Sequence, residues 1–220
     1  DKEGEGAVAH VVSKAKSGKA GGKGGDNGGG KGGGKGGGKA AAVAEPETVL
    51  DLANDACIGA VDIRVGMMSN ARKHDSSDKL FVEDIDIGPD GKRQVCSGLY
   101  QHLSPEEMSG LCCVVVNLKK AKMGGVESNG MVLCASGGGS FELLRPPAGS
   151  IPGERVSFEG VTRCQAAAPN AMAKKKIMPG ITATGDLKTT DAKQASWRGH
   201  VMVTSAGPVT VKSIVGGGIS

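Results

Sequence analysis

Residues 117 to 131 read NLKKAKMGGVESNGM, which sets Lys119, Lys120 and Lys122 beside the amide and hydroxyl groups of Asn117, Ser128 and Asn129. Ammonium groups flanked by neutral donors suit the binding of phosphate and ribose oxygens. Read alone, the stretch is also a polar loop that closes a strand. The remaining reactive types are cysteine and histidine. Cys57, Cys96, Cys112, Cys113, Cys134 and Cys164 form no C-x-x-C pair and have no histidine at metal-ligand spacing. Most sit among apolar neighbours, as in GLCCVVVNL, where reduced cysteine behaves as a small buried hydrophobe of a reducing compartment. His10, His74, His102 and His200 share no local motif, and neither G-x-S-x-G nor H-E-x-x-H occurs. His102 facing Cys112 or Cys113 across the fold is the one nucleophile-base pairing to weigh, and a thiol in an apolar strand is ordinarily inert. No catalytic residue, metal or cofactor is expected.

Charge narrows the binding chemistry. The net formal charge is +4, but residues 51 to 160 carry −4, whereas residues 14 to 39 and residues 161 to 220 each carry +6. A polyanion must therefore be held on a local basic face of the middle segment, or by the basic ends. Arg64, Arg72 and Lys73 flank the first apolar run, Lys79 starts the second, Arg93 lies in the third, and Asn117, Lys119 and Lys122 end the fourth. With three Phe, one Tyr and one Trp in 220 residues, base stacking on aromatic rings cannot be the main force. A folded RNA read through phosphates, ribose hydroxyls and shape fits these donors better.

The elements that would position these groups follow from periodicity. Residues 1 to 50 include SGKAGGKGGDNGGGKGGGKGGGKAAA, which has too little apolar surface to offset chain entropy and reads as a disordered linker. Its glycines precede no Lys-Ser or Lys-Thr, so a P-loop is excluded, and its lysines supply at most salt-sensitive attraction. Beyond it, residues 61 to 69, 79 to 88, 92 to 98, 111 to 118 and 130 to 136 read as five strands. In the second, Phe81, Glu83, Ile85 and Ile87 alternate with Val82, Asp84, Asp86 and Gly88, and the acids read as a solvated face. LSPEEMSG, with Ser104 as N-cap, Pro105 next and Glu107 three residues on, predicts one helical turn between strands three and four. An all-β, five-stranded OB-fold barrel with a short helix is the expected architecture over residues 51 to 160. Residues 161 to 220 should form a small β-rich extension packed on it, with APNAMAKKKIMPGI as a proline-bracketed basic segment.

DIRVG, ARKH, VCSGL, NLKKAKMGGVESNGMVLCAS, PPAGSIPGERVSF and KKKI, in that order, resemble the tRNA-binding domain of the endothelial monocyte-activating polypeptide II type. That domain occurs in synthetase-associated cofactors and at the carboxy ends of some methionyl- and tyrosyl-tRNA synthetases. The resemblance implies a monomeric OB-fold module that binds tRNA with little sequence reading. It points to Arg64, Arg72, Lys73, Asn117, Lys119, Lys122, Ser128, Asn129 and Met131 as RNA contacts, with Arg93, Lys174, Lys175 and Lys176 outside them. The sequence departs from the pattern at Asp75 and Lys120, where proline is usual, and at Gly124, where arginine is frequent.

The function expected is therefore a non-catalytic module that delivers or retains tRNA for an aminoacyl-tRNA synthetase, methionyl or tyrosyl, in the cytoplasm or an organelle. The alternative is a protein-interaction or cytokine-like module released by proteolysis. Because the chain opens on Asp1, it reads as a piece of a longer protein, and an upstream synthetase region would make it an appended end.

Overall fold

The computed structural model describes residues 45 to 220, so the expectations for the glycine- and lysine-rich stretch before them lie outside the described residues. A 3-10 helix, Asp55–Ala60, is capped by the Asn54 side chain, which accepts from the Ala56 N–H. The chain then enters β1 (Ile63–Lys73), β2 (Phe81–Asp86), β3 (Lys92–Ser97) and β4 (Gly110–Val115). A two-stranded hairpin follows, β5 (Ala121–Met123) and β6 (Val126–Ser128), and then β7 (Met131–Val132). These pair antiparallel in the order β3-β2-β1-β4-β7, the five-stranded, nearly closed barrel of an OB-fold. β1 runs four residues beyond the sequence expectation because it bends rather than stops. Its register shifts between Ser69 and Arg72, with Asn70 at φ 53°.

Continuous apolar runs became strands buried on both faces. Along β4, Cys112 and Val114 enter the barrel interior with Phe81, Ile85, Val95, Met108 and Val132. Cys113 and Val115 face the opposite way, into a second core with Ile63, Val65, Leu133 and Trp197. The turn between β3 and β4 carries the reciprocal cap read from the sequence. The Ser104 N–H donates to Glu107 Oε2 at 2.9 Å, and the Glu107 N–H donates to Ser104 Oγ at 3.3 Å.

The second core is completed by β8 (Cys134–Gly137), β9 (Ser140–Leu143), β10 (Ser157–Phe158), β11 (Leu187–Thr189), β12 (Ala195–Trp197), β13 (His200–Thr204), β14 (Gly207–Pro208) and β15 (Gly218–Ile219). β15 pairs with β8, so the last strand of the chain lies alongside the continuation of the barrel. Two helices were not foreseen in the basic segment: α1 (Pro169–Lys174), with proline at its first position, and α2 (Ile177–Thr184). Met172, Ile177, Met178 and Ile181 bury one side of both, which is why Lys174, Lys175 and Lys176 stay outside. Trp197 is fully buried, and its Nε1 donates to the Asp55 carbonyl at 3.0 Å. Arg198 stacks over that ring and pairs with Asp55 at 2.9 Å and Asp186 at 3.1 Å.

Candidate nucleic-acid interface

The hairpin β5–β6 carries Lys122, follows directly on Lys119 and Lys120, and is built for rigidity. Its turn is Gly124–Gly125, at φ 57° and 89°, the two positive angles a two-residue turn of matching twist requires. At its base, Ser128 Oγ accepts from the Cys96 N–H at 3.0 Å and donates to the Gly130 carbonyl at 3.1 Å. Gln94 Nε2 donates to the Glu127 carbonyl at 2.9 Å, which ties the hairpin to β3. At its tip, His74 Nε2 lies 3.0 Å from the Met123 carbonyl, while Nδ1 accepts from the Ser76 N–H at 3.1 Å. That pairing assigns the proton to Nε2, which donates to Met123. Ser76 Oγ donates to the Gly124 carbonyl at 3.2 Å.

This geometry accounts for glycine at position 124. A Cβ there would stand 2.5 Å from His74 Cε1, and the backbone is left-handed. The charge that an arginine would bring is partly restored by Lys120. Its ammonium, however, is 2.8 Å from Glu127 Oε1 and holds that carboxyl below the usual range.

Of the thirteen residues expected to touch RNA, Met131 lines a pocket wall and the other twelve separate into two groups. Seven already make contacts within the protein, Arg72 and Lys73 as exposed surface pairs. Arg64 pairs with both oxygens of Asp62, at 2.6 and 3.1 Å, and donates to the Gly153 carbonyl. Arg72 is 3.3 Å from Asp84, and Lys73 pairs with Asp78 at 2.5 Å over the Tyr100 ring. Arg93 donates to the Val116 and Asn129 carbonyls, both at 3.3 Å. Asn117 is buried, accepts from the Asp62 N–H and donates to the Ala60 and Ala167 carbonyls, each at 2.9 Å. Ser128 is buried at the hairpin base, and Asn129, half-buried, keeps its N–H on the Gln94 carbonyl. In the second group, Lys119, Lys122, Lys174, Lys175 and Lys176 are exposed and have no ion-pair partner among the described residues.

Two pockets adjoin Lys119 of that second group, and one of them brings it together with Lys176. One, of about 450 Å³, opens between β3, the hairpin and β7, walled by Leu99, Leu118, Met123, Met131 and Phe141. The other, of about 360 Å³, lies between Leu118, Met131, Met172 and Met178, with Lys119 and Lys176 on its lining. Leu118, Lys119 and Met131 line both, forming a ridge between them. The structure thus brings Lys119, Met131 and Lys176 together, whereas Arg64, Arg72 and Lys73 are engaged elsewhere. Sequence reasoning missed the pocket walls. The signal for one neighbour was present: Glu83 alternates with the isoleucines rather than with the acids.

Glu83 is fully buried. Ser97 Oγ donates to its Oε1, its Oε2 has no partner among the described residues, and burial pushes the carboxyl up to about 7. The cysteine-histidine alternative fails on the same ground of burial. All six thiols are free and buried, with Cys112 pushed up to about 12 and Cys113 well above its ordinary value, while His102 lies against Phe141.

The family model described as "Putative tRNA binding domain" matches residues 63–155. The cytoplasmic tyrosine--tRNA ligase of Xenopus tropicalis is 39% identical over 164 residues, covering 73% of this chain and 30% of that protein. The aminoacyl tRNA synthase complex-interacting multifunctional protein 1 of Mus musculus is 45% identical over 100 residues, covering 45% of this chain and 32% of that protein. The chain thus spans about a third of the length of these curated relatives. Among solved structures, the C-terminal domain of Plasmodium vivax p43 superimposes with a TM-score of 0.68 at 30% identity, covering 74% of this chain and 98% of that one.

Proposed function

The chain belongs to the tRNA-binding domain family of the endothelial monocyte-activating polypeptide II type, and from that premise we propose that it binds tRNA and holds it for an aminoacyl-tRNA synthetase. The observation that carries this reading is the ridge at Lys119, where that lysine, just before the hairpin, and Lys176 of the α1–α2 segment line one apolar pocket. Lysine contacts phosphates as a point charge and reads no base, so the binding is largely indifferent to sequence.

We assign the work to the barrel of residues 51 to 160, with residues 161 to 220 as an extension that contributes Lys174, Lys175 and Lys176. The role is non-catalytic: the module raises the local concentration of tRNA at a methionyl- or tyrosyl-tRNA synthetase, and tethering can raise avidity about a hundredfold without new contacts. A monomer in the cytoplasm fits this use. Arg64, Arg72, Lys73, Arg93, Asn117, Ser128 and Asn129 act as the frame, and Lys119, Lys122 and Met131 as the contact surface.

Gel retardation of tRNA by the 220-residue chain at low salt tests the reading. Retention that disappears as salt is raised supports it, and no retention at low salt refutes it.

A further inference from the structure

The larger pocket has a composition that phosphate binding alone does not require. It is walled by thioether, aliphatic and phenyl groups, it lies under the lysine hairpin, and Lys119 is on its rim. At about 450 Å³ it falls within the range of small-ligand sites. Its lining includes Ser97, whose hydroxyl is oriented by donation to the buried Glu83. One oxygen of that carboxyl has no partner among the described residues, so a polar group stands behind a mainly apolar lining. A flat heteroaromatic ring carrying polar edges, joined to an anion a few ångströms away, is complementary to such a site. In a folded RNA that description is met by a base outside the helical stack and its phosphate.

We propose that the pocket between β3 and the β5–β6 hairpin receives one unstacked nucleobase of the bound RNA, with Lys119 holding the adjoining phosphate. The inference rests on the tRNA reading above and deepens it. Phosphate contacts along the ridge give affinity for any RNA, and the pocket gives preference for an RNA that presents an extrahelical base. Duplex RNA, whose bases are all stacked, is then bound through the lysines alone. The flexible thioethers of Met123 and Met131 accept different bases against one wall, so the preference is for an exposed base rather than for its identity.

Gly98 provides a clean obstruction, because it lines the pocket and a Cβ added there meets nothing within 4 Å. Ala121, exposed on β5, allows the pocket to be filled from the other side. The experiment compares wild type, Gly98→Leu and Ala121→Leu for binding to a tRNA transcript and to a fully paired RNA duplex with the same number of phosphates. Wild type should prefer the tRNA. Either variant that keeps the wild-type near-ultraviolet spectrum should lose about tenfold in tRNA affinity, retain its duplex affinity, and keep the same salt dependence. Variants that bind tRNA as wild type does, as would follow if the pocket served a peptide anchor, overturn the proposal and leave the tRNA reading standing. Equal losses on tRNA and duplex overturn it as well, and wild-type protein that binds no tRNA overturns both.

Discussion

His74 occupies the space that a side chain at Gly124 would need: the ring reaches the Met123 carbonyl at 3.0 Å, and a Cβ on Gly124 would come within 2.5 Å of its Cε1. One buried imidazole therefore fixes the tip of the hairpin that presents Lys122, and it does so by excluding the side chain frequent at that position in the resembled family.

Gly124→Ala should destabilise the protein by about 1–2 kcal/mol, because the substitution combines a left-handed backbone with displacement of His74. Urea unfolding measures this. An unchanged midpoint would show that the turn relaxes without cost.

Asn117 and Lys119 are two residues apart and should fail in different ways. Asn117→Ala removes three hydrogen bonds to the backbone at a buried position, leaving the Ala60 carbonyl only its bond from the Ala167 N–H, and should cost about 2–4 kcal/mol in urea unfolding. Lys119→Ala should leave the midpoint in place and weaken tRNA binding. If Asn117→Ala unfolds like wild type, the frame role assigned to it is wrong.

Glu83 makes stability depend on pH in a direction opposite to most carboxylates. Its folded pKa, about 7, lies above the ordinary glutamate value, so the folded state holds the proton over a range in which the unfolded chain has released it. The stabilisation is complete at pH 4 and declines as pH rises to 7, by on the order of 3 kcal/mol. Glu83→Gln should flatten that slope and be more stable than wild type at pH 8. Parallel stability curves for the two proteins between pH 5 and pH 8 would contradict the buried, singly bonded carboxyl.

The thiols of Cys112 and Cys113 should resist iodoacetamide in the folded protein and react once it is unfolded in urea, since burial holds both in the thiol form. Mass spectrometry of native and denatured samples reads the difference. Rapid native labelling at either position would reopen a catalytic role for them.

The barrel was legible because its strands obey simple periodicities. The two-sided burial of β4 shows in the unbroken run LCCVVVNL, and the Ser104–Glu107 cap shows in its spacing. α1 and α2 were not legible, because APNAMAKKKIMPGI reads as a basic proline-bracketed loop until Met172, Met178 and Ile181 find the second core. The site was only partly readable for a similar reason. Sequence identifies which side chains can bind phosphate, but the acids that neutralise Arg64, Arg72 and Lys73 are assigned by folding: Asp62, Asp84 and Asp78. Of the lysines expected to touch RNA, those without an ion pair among the described residues are Lys119, Lys122, Lys174, Lys175 and Lys176, and of these Lys122 still faces Glu127 across the hairpin, whose carboxylate Lys120 holds.

The salt dependence of tRNA binding tests the central claim most directly. Wild type and a Lys119→Ala, Lys122→Ala, Lys176→Ala variant are titrated with tRNA across a range of salt concentrations, and the logarithm of the binding constant is plotted against that of salt. The slope should fall by about one for each lysine removed, roughly three in all, while the urea midpoint stays constant. An unchanged slope would contradict an RNA interface on the Lys119 ridge.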